Sequence, residues 1–199
     1  MRTTMKGLLA VPALVACLPV LNASAAQDLQ ITPVGPVTFS AARVSLVDAL
    51  TGSDIGCSSV LRGQAGNDLV INGADFNGCE GPAGITFTIS VSVPWGFWMS
   101  SYDSTSDSVR GEFTGVKATL HGSDECDATI SGPGGGAGTI DLSYSNITGI
   151  LTLGGGDLVV NTADADCDPG LVNGGDAVSL QGPYNSNPKL TMRPGQPER

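Results

Sequence analysis

Histidine is nearly missing from this chain: His121 is the only one among 199 residues. No two cysteines have the short spacing of a zinc knuckle, so a zinc module has no ligand set here. A catalytic triad lacks its usual marker as well. There is no Gly-x-Ser-x-Gly nucleophile elbow, and His121, beside Gly122, reads as a surface or turn residue. Basic residues are scarce, with 9 Lys and Arg facing 19 Asp and Glu, a formal charge of −10 at pH 7. That balance argues against nucleic acid and anionic membrane surfaces as partners. The glycine stretches Gly132–Gly138 and Gly154–Gly156 are not followed by Gly-Lys-Ser/Thr, which removes a phosphate loop. Beyond the first residues no run approaches the ~18 consecutive apolar residues of a membrane-spanning helix.

The amino terminus has the form of an export leader. Arg2 and Lys6 precede the apolar run Gly7–Leu21, and Ala23-x-Ala25 supplies a small-x-small cleavage pattern. The expected division is a leader over 1–26, one domain over 27–192 and a proline-containing tail over 193–199. An alternative processing site is Leu14-Val-Ala-Cys17, a lipoprotein-like box in which Cys17 would carry the lipid. Loss of the leader leaves Cys57, Cys79, Cys126 and Cys167, an even set that reads as two disulfides in an exported chain. Neighbours in sequence are commonly neighbours in a β-meander, so the expected bridges are Cys57–Cys79 and Cys126–Cys167.

The strongest local pattern is Ile85–Val93, where Ile85, Phe87, Ile89, Val91 and Val93 alternate with Thr and Ser. Period two predicts a strand with one face in a core. Val116, Ala118 and Leu120 share a second such face, with Gly115 as a bulge; Ile140, Leu142 and Tyr144 form a third. Pro94 ends regular pairing after the first strand, and Gly154–Gly156 is expected to turn a hairpin between Ile150–Leu153 and Leu158–Val160. Glycine and Ser/Thr punctuation throughout gives roughly ten short strands at the spacing of an all-β, two-sheet antiparallel sandwich, jelly-roll or immunoglobulin-like.

One resemblance rests on the carboxy-terminal half. The segment from Cys167 through Gly170, Asn173, Gly175, Asp176, Val178 and Tyr184 to Pro188 resembles that of uncharacterised secreted all-β proteins of high-GC Gram-positive bacteria. Tyr144, Asn146, Thr148, Gly149 and the pair Pro94-Trp95 are similar too. The resemblance implies a secreted β-sandwich and carries no activity.

Two clusters carry candidate chemistry. Asp164, Asp166 and Asp168 surround Cys167, while Asp124, Glu125 and Asp127 surround Cys126. A Cys126–Cys167 bridge would gather these carboxylates, and Ca²⁺ favours oxygen-rich loops, although the EF-hand pattern fails at Pro169 and Gly175. The bland alternative is a solvated acidic surface. Trp95, Phe97, Trp98 and Tyr102 form the second cluster. Trp95 is expected in the core; Trp98 and Tyr102, if exposed, would offer ring faces to a sugar. The resulting expectation is a secreted, non-enzymatic protein with a binding or cell-envelope role, possible Ca²⁺ stabilisation, and a cell-surface component or polysaccharide as partner. The alternatives are a carbohydrate-binding module and a hydrolase using scattered acids; the glutamates Glu80, Glu112 and Glu125 have no recognisable catalytic context.

Overall fold

The computed structural model describes residues 29–195. The expected leader, Cys17 and the end of the expected tail lie outside the described residues. Alternation of inward apolar and outward polar side chains carries most of the chain into strands, which hold 66% of the described residues. They are β1 (Leu29–Thr32), β2 (Gly35–Asp48), β3 (Asp54–Ala65), β4 (Leu69–Glu80), β5 (Thr86–Ser92), β6 (Trp95–Asp103) and β7 (Ser108–Gly122). After these come β8 (Asp127–Ser131), β9 (Gly138–Ser145), β10 (Ile150–Leu153), β11 (Val159–Ala163), β12 (Val178–Asn187) and β13 (Thr191–Pro194).

The main sheet closes on itself. β2 pairs with β3, β3 with β4, and β4 with both β5 and β6. β5 and β6 both pair with β7, which pairs in turn with β8 and β9. β9 and β8 meet β10 and β11, and β10 meets β12, which returns to β2. All pairs are antiparallel, and the closed path has eight strands. This is an up-and-down β-barrel, in which every strand of the ring has a pairing partner on both sides.

The expected two-sheet sandwich is therefore corrected, and so is the sandwich implied by the resemblance. Short strand spacing is common to both architectures. The misreading came from three mid-strand breaks, each of which resembles a turn. Pro94 divides β5 from β6, residues 132–137 divide β8 from β9, and residues 154–158 divide β10 from β11. In each case the chain continues in the same direction along the barrel wall. Gly154–Gly156 thus turns no hairpin: β10 pairs with β9 and β12, whereas β11 pairs with β8.

Phe39, Leu61, Ile71, Trp95, Phe113, Ile140, Tyr144, Leu151 and Tyr184 are fully buried inside the barrel. An eight-stranded barrel is just wide enough for side chains to fill. The outward positions of the same strands are polar, as at Arg62, Arg110, Glu112, Asp141, Thr152 and Gln181. This is the reverse of the apolar-out pattern of a membrane barrel. Among the described residues no helix is long and apolar enough to cross a membrane.

Both barrel ends are closed. At one, β1 and β13 form a two-stranded ribbon that buries Ile31, Leu190 and Met192. Tyr144 and Asn146 anchor it: the Tyr144 hydroxyl accepts from Leu190 N at 2.8 Å, and Asn146 Oδ1 accepts from Met192 N at 2.8 Å. The expected tail from residue 193 therefore begins inside a strand, with Arg193 opposite Gln30. At the other end Leu171 and Val172, from the segment before β12, cover the interior beside Ile55 and Val160. Two disulfides brace that end, Cys57–Cys79 between β3 and β4 and Cys126–Cys167 between the residue preceding β8 and the covering segment.

Candidate functional site

The acidic cluster lies at the disulfide-braced end, and its carboxylates serve separate partners. Asp164 accepts from Asp127 N through Oδ2 and from Asp166 N through Oδ1. Asp124 accepts from Cys126 N, and Asp168 from Gly170 N. Asp127 Oδ1 is 2.8 Å from His121 Nδ1, an exposed pair set directly opposite one another on β8 and β7. Asp166 points into solvent. Among the described residues one trio of metal-capable atoms falls within 4.8 Å, from Asp164 and the two sulfurs of the Cys126–Cys167 disulfide. Bonded sulfurs are not thiolate ligands, so the trio is no cation cage. The carboxylates of Asp124, Asp127, Asp164, Asp166 and Asp168 meet at no single point.

The aromatic cluster is distributed by strand β6. Trp95, Phe97 and Met99 face inward, and Phe97 and Phe113 meet edge to face at 6.2 Å between centroids. Trp98 faces out and is 52% exposed. A bulge between Met99 and Ser101 shifts the register, so Tyr102 opposes the buried Val109 instead of an outward residue. The Tyr102 hydroxyl donates to Asp107 Oδ1 at 2.7 Å. Trp98 and Tyr102 therefore lie on opposite faces and form no shared platform.

What surrounds Trp98 is a row built by register. Trp98 opposes Glu112 across β6 and β7, and Glu112 opposes Asp141 across β7 and β9. One step along, Ser101, Arg110, Ser143 and Thr152 form a parallel row over β6, β7, β9 and β10. Neighbouring strands are ~4.8 Å apart, so each row spans about two to three strand widths of wall. An open groove of about 480 Å³ runs beside them, lined by Ser100, Arg110, Asp141, Ser143 and Thr152 among others.

Arg110 distinguishes this wall. Arg43 pairs with Asp54, Arg62 with Asp75 and Arg193 with Asp107, while Lys117 and Lys189 donate to carbonyl oxygens. Among the described lysines and arginines, Arg110 alone has neither an ion pair nor a hydrogen bond. Glu112 and Asp141 are likewise without a side-chain partner among the described residues. A guanidinium with its donors free, two free carboxylates and an open indole face thus share one patch.

No protein-family model, curated protein or solved structure matches this chain.

A larger open groove, about 830 Å³, lies on the adjoining wall over β2 and β12 and shares Thr152 and Leu153 with the first. Its cation, Arg43, is already held by Asp54 at 2.9 Å, and Ser45 donates to the same carboxylate. Its polar groups are thus more fully engaged despite its size. The Asn146-Ile-Thr148 sequon is no modification site, because Asn146 is buried and its amide donates to Asp107 and the Met192 carbonyl. Sequence reasoning reached Trp98 but missed Arg110, Asp141 and Ser143. They stand far from Trp98 in sequence and meet it only through the strand register.

Proposed function

We propose that this protein is an exported, non-enzymatic binding protein whose ligand is a neutral saccharide, held on the wall formed by β6, β7, β9 and β10. The observation that carries the reading is the partnerless Arg110 in the row beside that of Trp98 and the free carboxylates Glu112 and Asp141. A sugar hydroxyl both donates and accepts, so one diol satisfies a guanidinium and a carboxylate together. The Trp98 ring gives the apolar face of a pyranose a flat surface. An anionic ligand would meet Glu112, Asp141 and the chain's formal charge of −10. The wall is open and water-exposed, which suits binding along a glycan surface. Two disulfides fit an oxidising, extracellular setting, and the amino-terminal leader pattern supports export.

The test is retention on a panel of neutral and acidic polysaccharides, with soluble oligosaccharide titrations to follow. Trp98→Ala and Arg110→Ala should each weaken binding of the retained neutral glycan by about tenfold or more, ~1.4 kcal/mol, with the melting temperature unchanged. Failure to retain any neutral glycan, or equal retention by both variants, would overturn the reading. Release of reducing ends during incubation would instead move it toward hydrolysis by Glu112 and Asp141.

A further inference from the structure

The barrel wall is unzipped along one seam. β4 pairs with β6 at Val70 and Ile71 and with β5 at Cys79 and Glu80, but no ladder pair joins residues 72–78 to residues 88–94. The same number of residues separates the two anchor points on each strand, so the register is kept while the hydrogen bonds are lost. The causes are local. β4 follows β3 through a bulge at Asn72 and another near Gly78, which bend it away from β5. Opposite, Pro94 has no N–H to donate.

Behind the seam the interior is incompletely filled. A cavity of about 40 Å³ is lined by apolar side chains, Phe76, Ile89 and Val91 at the seam and Trp95, Ile140 and Leu158 deeper in. Phe76, Ile89 and Val91 are only partly buried, although their alternation turns them inward. Protein interiors pack with few voids, and an apolar cavity stays dry. Here such a cavity coincides with the one stretch where β4 and β5 lack their ladder.

We propose that the β4–β5 seam and the cavity behind it form a binding site for an unbranched alkyl chain. At about 40 Å³ the cavity has room for the end of a thin unbranched chain and not for a ring or a branched skeleton. The terminal carbons occupy the cavity against Trp95, and the following methylenes lie between Phe76 and Val91. The rim carries Ser90, Ser92 and Asn77; Lys117, opposite Ser92, donates to the Gly135 carbonyl, and Arg62 is paired with Asp75. The head group that stays at the rim is therefore uncharged. This site is independent of the saccharide wall.

Trp95 makes the test direct. Trp98→Phe leaves Trp95 as the only tryptophan of the chain. Titration of that variant with 11-bromo-1-undecanol, below its aggregation threshold, should quench Trp95 emission saturably by at least twofold. Undecanol without bromine should compete, and adamantanol should not. Ala118→Leu, whose added carbons point into the cavity, should abolish the quenching. Val91→Phe provides a second filled variant should Ala118→Leu fail to fold. Absence of saturable quenching, competition by adamantanol, or full quenching in a folded filled variant would each overturn the proposal.

Discussion

Asp107 shows how much one residue can organise. With φ at 44°, it sits in the turn between β6 and β7 in a conformation that L-residues seldom adopt. Its carboxylate accepts from Asn146 Nδ2, the Tyr102 hydroxyl and Arg193, tying the β6–β7 turn to β9 and to the closing ribbon. The Asn146 and Tyr102 hydrogen bonds hold its pKa below the ordinary carboxylate value. A carboxylate with a depressed folded-state pKa contributes stability that is present above its unfolded value and is lost as pH falls through the folded one. Thermal melts should thus be flat from neutral pH to about pH 5 and decline below about pH 4, with part of that decline missing in Asp107→Asn. The tyrosines shift the opposite way. Burial pushes Tyr184 up to about 12 and also raises Tyr144, while the hydrogen bond to Asp107 raises Tyr102. Their neutral forms therefore stabilise the fold fully below the unfolded value near 10 and progressively less above it. Native protein at about pH 10.5 should show less tyrosinate absorbance than the same chain in denaturant, with Tyr184 the last to ionise. A native titration that coincides with that of the denatured chain would contradict the packing described.

At the scale of elements, the closing ribbon and the broken staves determine the geometry. Asn146 bonds both the N–H and the carbonyl of Met192, so Asn146→Ala would leave two buried backbone groups unpaired. The expected cost is about 2 kcal/mol or more, read from denaturant midpoints at constant slope. Gly111 marks a close approach: a Cβ there would collide with the Trp98 carbonyl and the Phe97 ring. Gly111→Ala should destabilise by about 1–3 kcal/mol and weaken saccharide binding with it, because Trp98 lies on the displaced strand. Much at this scale was legible in the sequence. The inward faces of Val116 and Leu120 and of Ile140, Leu142 and Tyr144 follow from alternation alone, and Gly115 is a bulge where β7 shifts register against β9. The fate of the breaks was not legible. A proline or glycine run stops local pairing in the same way whether the chain then reverses or continues, and only the partner strands decide between the two.

For the whole molecule, closure explains both what the sequence reveals and what it hides. The disulfide pairing follows from proximity along a meander, and the barrel is a meander. Loop entropy assigns roughly 3–4 kcal/mol to each bridge, so reduction should lower the melting temperature clearly and loosen the end covered by Leu171 and Val172 first. Hydrogen exchange of residues 164–177 before and after reduction would show it. The acidic residues at that end are committed to separate backbone groups. Millimolar Ca²⁺ should therefore leave the melting temperature of the oxidised protein unchanged, whereas a specific site at a hundredfold excess over its Kd would add about 2.7 kcal/mol. The Arg110 patch belongs to this scale as well. Its members come from four strands, and their adjacency exists only once β6, β7, β9 and β10 pair in register.

The measurement that bears most directly on the saccharide reading is a nuclear magnetic resonance titration of the oxidised protein with a neutral oligosaccharide. The account predicts shifts concentrated at the Trp98 indole N–H, the Arg110 guanidinium and the backbone of β7 and β9, with Trp95 unmoved. Shifts confined to the His121–Asp127 edge or the β2–β12 groove, or no shift at millimolar sugar, would contradict it.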